Sequence, residues 1–195
     1  KLLKGPYVYR KINFMELHFG TYRELEEKDQ VEIKGLIIKG NEANARLVDS
    51  RLYSSALTAY FKDGDSIIAT TSIKMPESDY ITDIFDKALV DFNPSKYTFE
   101  LGYVFVESLY RNQKIASILC SELIHKFDKE DLFSSTRTDN IGMQSILNSF
   151  GFVSSGISYV SLTKTRLLQL YIRNGNLFNQ EKSMEFDFGE CFSQN

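Results

Sequence analysis

Apolar residues recur at helical spacing in some stretches of this chain and alternate with polar ones in others, with Gly and Pro between them. Ile12 to Phe19 alternates well enough for a first strand. Tyr22 to Ile38 is charged and helical in period, with Leu25, Val31 and Ile38 as its inward positions, and Ala43 to Leu52 follows as a second helical piece after Gly40. The clearest hairpin comes next. Ala56 to Phe61 and Ser66 to Ile73 flank Lys62-Asp63-Gly64-Asp65, where Gly accepts positive φ without steric cost. Pro76 ends the second strand of that hairpin, Tyr80 to Leu89 is helical, Pro94 marks a loop, and Tyr97 to Val106 reads as a strand.

Gln113 to Phe127 carries one apolar stripe, Ile115, Ile118, Leu119, Leu123 and Phe127, and predicts a helix. Asp131 to Thr136 is a strand. Asp139 is the expected N-cap of a helix over Ile141 to Phe150, in which Met143, Ile146, Leu147 and Phe150 share a face and which Gly151 stops. Val153 to Ser161 and Leu167 to Arg173 are the last strands. Residues 1–175 are expected to form one domain and 176–195 a polar tail.

Composition changes this picture little. The chain has 195 residues, 43% hydrophobic and 25% charged, which suits a globular domain with a real core. A net charge of −3 gives no footprint for nucleic acid. No apolar run approaches a membrane span, so no membrane partner is expected. No secretory signal is visible, and the chain opens on Lys1 rather than Met, which leaves room for a segment upstream. Cys120 and Cys191 stand far apart in no metal or redox spacing, as reduced thiols of a cytoplasmic protein would. His18 and His125 lack ligand partners at useful spacing, so no metal is expected.

The chemistry concentrates at one junction. Tyr110-Arg111-Asn112-Gln113-Lys114-Ile115-Ala116 stands where a strand hands over to an amphipathic helix. Free N–H groups and the positive end of a helix dipole converge at such a place, and phosphate is its usual guest. The P-loop pattern and the Gly-x-Gly-x-x-Gly dinucleotide fingerprint are both absent. What remains is Arg111-x-x-Lys114-x-Ala116 running into a helix.

The span from Phe99 to Phe152 resembles the GNAT superfamily of acyl-CoA-dependent N-acetyltransferases. That family's central motif is a strand ending in Val, a few residues, then Arg/Gln-x-x-Gly-x-Gly/Ala and a helix, and Val106 to Ala116 follows it. A second family motif, Asn followed eleven residues later by Gly-Phe, is met by Asn140 and Gly151-Phe152. The resemblance implies an α/β (α+β) fold: a mixed, mostly antiparallel central sheet flanked by helices, with strands splayed at the acyl-CoA site. It implies acetyl-CoA as cosubstrate and a primary amine as acceptor, attacked directly in a ternary complex, in a monomer or homodimer.

By position in the family, the Val104 amide faces the thioester carbonyl, where an N–H would stabilise an oxyanion. Val106 would bond the pantetheine arm, with Phe105 between them. The amides of Asn112, Gln113, Lys114, Ile115 and Ala116, with Arg111, would hold the diphosphate. Asn140 would touch the arm or set the helix beside it. Glu100, eleven residues before Arg111, stands where histone-acetylating members carry their general base, and partial desolvation among Phe99, Leu101, Tyr103 and Phe105 would strengthen it.

There are two departures from the family pattern. Lys114 replaces a Gly, which keeps the amide in place as long as its φ is ordinary. Leu147 replaces the Tyr that protonates the leaving thiolate in many members. Water, Tyr103 or Tyr159 are then the proton sources, with Ser145 and Ser149 as weaker options. The acceptor pocket is expected from Tyr22 to Leu52, the Tyr80 to Leu89 helix and Thr136-Arg137, with Ser72 to Pro76, Tyr80 and Phe85 as a wall. Three readings compete with catalysis of acetyl transfer: a non-catalytic acyl-CoA-binding module, a transferase of another acyl chain, and a turn that binds nothing.

Overall fold

The structure is a computed structural model that describes residues 7–12, 15–40, 47–91, 93–161 and 166–175. The expected tail over 176–195, Cys191, and residues 43–46 of the second helical piece lie outside the described residues. In chain order the elements are β1 (Tyr7–Ile12), β2 (Met15–Gly20), α1 (Glu27–Lys39), α2 (Val48–Tyr53), β3 (Leu57–Asp63), β4 (Ser66–Lys74), α3 (Ser78–Lys87), β5 (Phe99–Val106), α4 (Ile115–Lys126), β6 (Leu132–Arg137), α5 (Ile141–Ser149), β7 (Val153–Val160) and β8 (Leu167–Arg173). They build an eight-stranded sheet of order β1-β2-β3-β4-β5-β6-β8-β7. Every neighbouring pair is antiparallel except β5 with β6. The mixed, mostly antiparallel α/β architecture is therefore present.

Alternation along β3 shows how the two faces are covered. Ala59 and Phe61 join Leu17, Leu101 and the stripe of α4, Ile115, Ile118, Leu119 and Leu123, in one core. Tyr60 points the other way into a second core with Ile33, Leu36 and Ile37 of α1 and Val48 and Leu52 of α2. A third core sits beside it on β6, β7 and β8, where α3 buries Ile81, Ile84 and Phe85 against Phe133, Tyr159 and Leu170. A cavity lined by Ile37 of α1, Arg51 of α2, Tyr80 and Ile84 of α3 and Glu100 to Phe105 of β5 lies between these groups.

Several boundaries differ from the periodicity. The expected strand over Ile12–Phe19 is divided: Ile12 ends β1, Met15 to Phe19 belong to β2, and residues 13 and 14 lie outside the described residues. In α1 the inward stripe is Ile33, Leu36 and Ile37, while Val31 and Ile38 are exposed. Leu25 is buried as expected, but it lies before the helix, since Glu26 at the N-cap position is extended at φ −60° and ψ 145°. The helix expected from Gln113 starts at Ile115, because Lys114 is left-handed. Asp139 does not cap α5. Asn140 does, its side chain accepting from the Met143 N–H at 3.1 Å. Asp139 instead faces the Arg137 guanidinium at 3.2 Å.

Candidate active site

The site begins with a failure of pairing. β5 meets the parallel strand β6 only at Phe99↔Leu132 and Glu100↔Phe133. Beyond Glu100 the strands part, while β6 stays paired with β8 along its whole length. On its other side β5 follows β4 as far as Ala69↔Val106, with a bulge midway: Tyr103 and Val104 together oppose Thr71. Tyr103 takes φ +57° there, and Thr71 braces the bend by donating to the Gly102 carbonyl at 3.2 Å. The bulge twists the end of β5 away from β6.

That splay exposes main chain. The Glu107 N–H donates to Ile68 on β4 at 2.8 Å. Strand alternation then turns the polar groups of Val106 and Val104 away from β4, into the opening, and those of Phe105 toward β4. The Phe105 side chain packs on the α1 side. Arg111 closes this end: its Nε donates to the Val106 carbonyl at 3.1 Å, and its guanidinium lies 5.9 Å from the centre of the Phe105 ring.

The turn after β5 is pinned from both sides. Lys39 of α1 holds Glu107 at 2.6 Å, and the Tyr110 hydroxyl donates to Asp63 at 2.7 Å. Asn112 and Lys114 are left-handed, with φ +62° and +59°. Asn tolerates that region, whereas Lys pays for it. Left-handed residues in such a turn aim successive amides into one concavity. Helical bonding resumes with Ile118 donating to the Lys114 carbonyl at 2.9 Å. No main-chain carbonyl among the described residues accepts from the amides of Asn112, Gln113, Ile115 or Ala116. Asn112 and Gln113 are exposed at the N-terminus of α4. Amides without a main-chain acceptor at a helix start suit a diphosphate.

The opening leads to a cavity of about 300 Å³ lined by a buried ion pair among apolar and aromatic side chains. Glu100 is 4% exposed and its Oε1 lies 2.6 Å from Lys74 Nζ, directly across the β4–β5 ladder. Glu100 Oε2 is buried with no hydrogen-bond partner among the described residues. The Lys74 stem lies over Gly102, where an added Cβ would stand 2.7 Å from Lys74 Cε. Burial pushes the Lys74 ammonium below its ordinary range, and Glu100 opposes that shift. Lys74 also sits 4.8 Å from the centre of the Tyr103 ring. Burial pushes the Tyr103 hydroxyl up to about 12. Tyr159 is likewise pushed up to about 12 by burial, and its hydroxyl is 2.6 Å from Ser135 Oγ. Tyr80 is raised too, by burial first and Glu100 second. The Arg51 guanidinium lies 5.1 Å from the centre of the Tyr80 ring.

Six of the thirteen candidate site residues meet in this cavity, while Val106, Arg111 and Asn112 to Ala116 do not line it. Glu100, Tyr103, Val104, Phe105, Asn140 and Tyr159 all line it. Leu147 is fully buried in the core below α4, and neither Ser145 nor Ser149 lines the cavity; the Ser149 hydroxyl donates to Ile146. Phe85 belongs to the α3 core rather than to the wall. Lys74 and Arg51 were not singled out, although both lie in segments expected near the acceptor. Pairing Lys74 with Glu100 requires the β4–β5 register, which a bulge shifts, and nothing local marks that bulge.

Among the described residues no group of His, Cys, Asp and Glu could hold a metal ion, and no helix is long and apolar enough to cross a membrane. The fold is similar to that of an acyl-CoA N-acyltransferase from Pseudomonas aeruginosa, at 11% identity and a TM-score of 0.62, covering 82% of this chain and 99% of that one. It is also similar to Escherichia coli ElaA, at 14% identity and a TM-score of 0.61, over 82% and 99% of the two chains. A GNAT family acetyltransferase from Elizabethkingia anophelis, solved with acetyl-CoA bound, shares 14% identity at a TM-score of 0.53, over 84% and 99%. Identities this low carry the fold and nothing finer. No curated protein sequence gives a significant match to the chain. The model of the Acetyltransferase (GNAT) family, however, matches residues 14–152, well over half of the chain. A match of that extent decides the matter: this chain belongs to the GNAT acetyltransferase family.

Proposed function

We propose that this protein moves an acetyl group from acetyl-CoA to a primary amine, of a small molecule, a peptide or a protein, by direct attack in a ternary complex. The observation that carries this reading is the parting of β5 from β6 beyond Glu100, with a buried carboxylate oxygen at its base and, in the turn after β5, amides without a main-chain acceptor. Acetyl-CoA, when bound, supplies a thioester whose carbon–sulfur bond breaks as the amine nitrogen bonds the carbonyl carbon, with one proton lost by the amine and one gained at sulfur.

The chain's own groups divide the remaining work. Amides from Asn112 to Ala116, aided by Arg111 and Lys114, hold the diphosphate. Main-chain groups of Val104 and Val106 face the opening and suit the arm and its carbonyl. Asn140 acts through α5, whose start it caps. Glu100 keeps Oε1 on Lys74 and offers Oε2 to the acceptor nitrogen, whose proton it takes. Tyr103 and Tyr159 stay protonated. Burial raises each hydroxyl to about 12, so each is protonated at neutral pH, and Tyr103, Tyr159 or water supplies the proton that sulfur gains.

Acetyl-CoA should raise the melting temperature, and an amine panel should release free thiol in its presence. Glu100→Gln should cut turnover by about 10² to 10⁴ while keeping the acetyl-CoA shift. No shift at saturating acetyl-CoA would defeat the proposal. One observation favours a non-catalytic acyl-CoA-binding module: buried Leu147 leaves the family's usual acid position without a hydroxyl. Tight CoA binding with no turnover on any amine would select that reading.

A further inference from the structure

Two groups of opposite charge in the cavity keep unused binding capacity. One is Glu100 Oε2, buried and without a hydrogen bond among the described residues. The other is Arg51, half-buried on α2, which lines the same cavity and stacks on Tyr80. The other charged groups lining the space have counter-ions: Lys74 with Glu100 at 2.6 Å, Lys87 with Asp83 at 2.7 Å, and Arg137 with Asp139 at 3.2 Å. No carboxylate lies within ion-pair distance of Arg51 among the described residues. Tyr80 presents a face to the guanidinium and the Tyr103 hydroxyl engages one edge of it, which leaves the remaining donors of the planar fork without a carboxylate.

A guanidinium held over a ring at the rim of a desolvated site is a receptor for a carboxylate, which it can bind through two parallel hydrogen bonds. The free oxygen of Glu100 is the matching receptor for an ammonium. Tyr103 lies between the two: Lys74 sits over its ring, and both Arg51 and Glu100 act on its hydroxyl. We propose that the acceptor is a zwitterion, an amine that also bears a carboxylate, with its nitrogen on Glu100 and its carboxylate on Arg51. Arg51 is then a specificity residue of the acceptor site. This assignment rests on the acetyltransferase reading for its consequence in turnover, but not for its consequence in binding.

The test pairs each acid with its neutral amide: glycine with glycinamide, L-leucine with L-leucinamide, β-alanine with β-alaninamide, and 4-aminobutyrate with its amide. Thiol release at saturating acetyl-CoA gives kcat/KM for each, and calorimetry on the CoA-saturated protein gives binding. In at least one pair the acid should exceed the amide by about 10- to 100-fold, the range expected when a charged hydrogen-bonding partner is lost. Arg51→Gln should collapse that ratio toward one, with the loss in KM rather than kcat, and Arg51→Lys should restore part of it. If amides turn over as well as acids, or Arg51→Gln leaves the ratio intact, the zwitterion assignment falls while acetyl transfer stands. If nothing turns over but acids bind better than amides and Arg51→Gln abolishes the difference, Arg51 stands and the transferase reading falls. Equal binding of acids and amides, with no turnover, overturns the assignment.

Discussion

Lys114 occupies a backbone conformation that its side chain disfavours, and the cost can be read out. At φ +59° and ψ 8° it lies in the left-handed region, where an L side chain loses about 1–2 kcal/mol relative to ordinary helical geometry. Gly escapes that cost but loses about 0.5–1 kcal/mol more backbone entropy on folding. Lys114→Gly should therefore be more stable than Lys114→Ala by about 0.5–1 kcal/mol. Both variants lose the same ammonium and the same side-chain contacts, so the comparison isolates the backbone. For a chain of this size the difference is about 1–4 °C in melting temperature. Urea titrations of both proteins would measure it. The same swap at Glu122, in the interior of α4, should have the opposite sign and cost Gly about 1 kcal/mol. If Lys114→Ala equalled or exceeded Lys114→Gly, Lys114 would not be left-handed. The converging amides of the turn would lose their geometric basis with it. Acetyl-CoA affinity should follow the same order, Gly above Ala, because Gly preserves the amide directions.

Removing Lys74 alone, as Lys74→Met, should cost about 3–5 kcal/mol by stranding the Glu100 carboxylate, and Lys74→Met with Glu100→Leu should recover most of it in a double-mutant cycle. Asn140→Ala should cost about 1 kcal/mol through loss of the α5 cap, whereas Asp139→Ala should be nearly neutral by chemical denaturation. Burial, with Lys62 second, holds the His18 imidazole below its ordinary 6.5. The folded state therefore binds fewer protons there than the unfolded one. The contribution is complete above pH 6.5 and is lost as pH falls through the lower folded value, so His18→Gln should flatten that part of the stability curve. Gly156→Ala should destabilise by about 2 kcal/mol or more, because a Cβ at φ +67° would stand 2.0 Å from the Ala88 carbonyl oxygen; an unchanged unfolding midpoint would contradict the packing of β7 on the end of α3.

Legibility followed the range of the forces involved. The stripe of α4, the β3–β4 hairpin and the Val106-to-Ala116 junction depend on neighbours a few residues away, so periodicity and motif spacing revealed them. The phase of α1 was not legible in the same way, because its period admits more than one inward face. Contact with Tyr60 and Ile67 chose Ile33, Leu36 and Ile37 over Val31 and Ile38. The cap of α5 went to Asn140 rather than Asp139 through a one-residue choice that depends on where the chain leaves β6.

From the chain alone came the family, the junction that suits a diphosphate, the carboxylate at Glu100 and the Lys and Leu at the two departures from the motif. The tertiary structure decided that Glu100 faces Lys74, that Lys114 is left-handed, and that Arg51 reaches the same cavity from α2. Each of these is a long-range or torsional outcome. A strand register, a backbone angle and a contact between separate helices are set by the packing of the whole sheet, and no short window of sequence contains them.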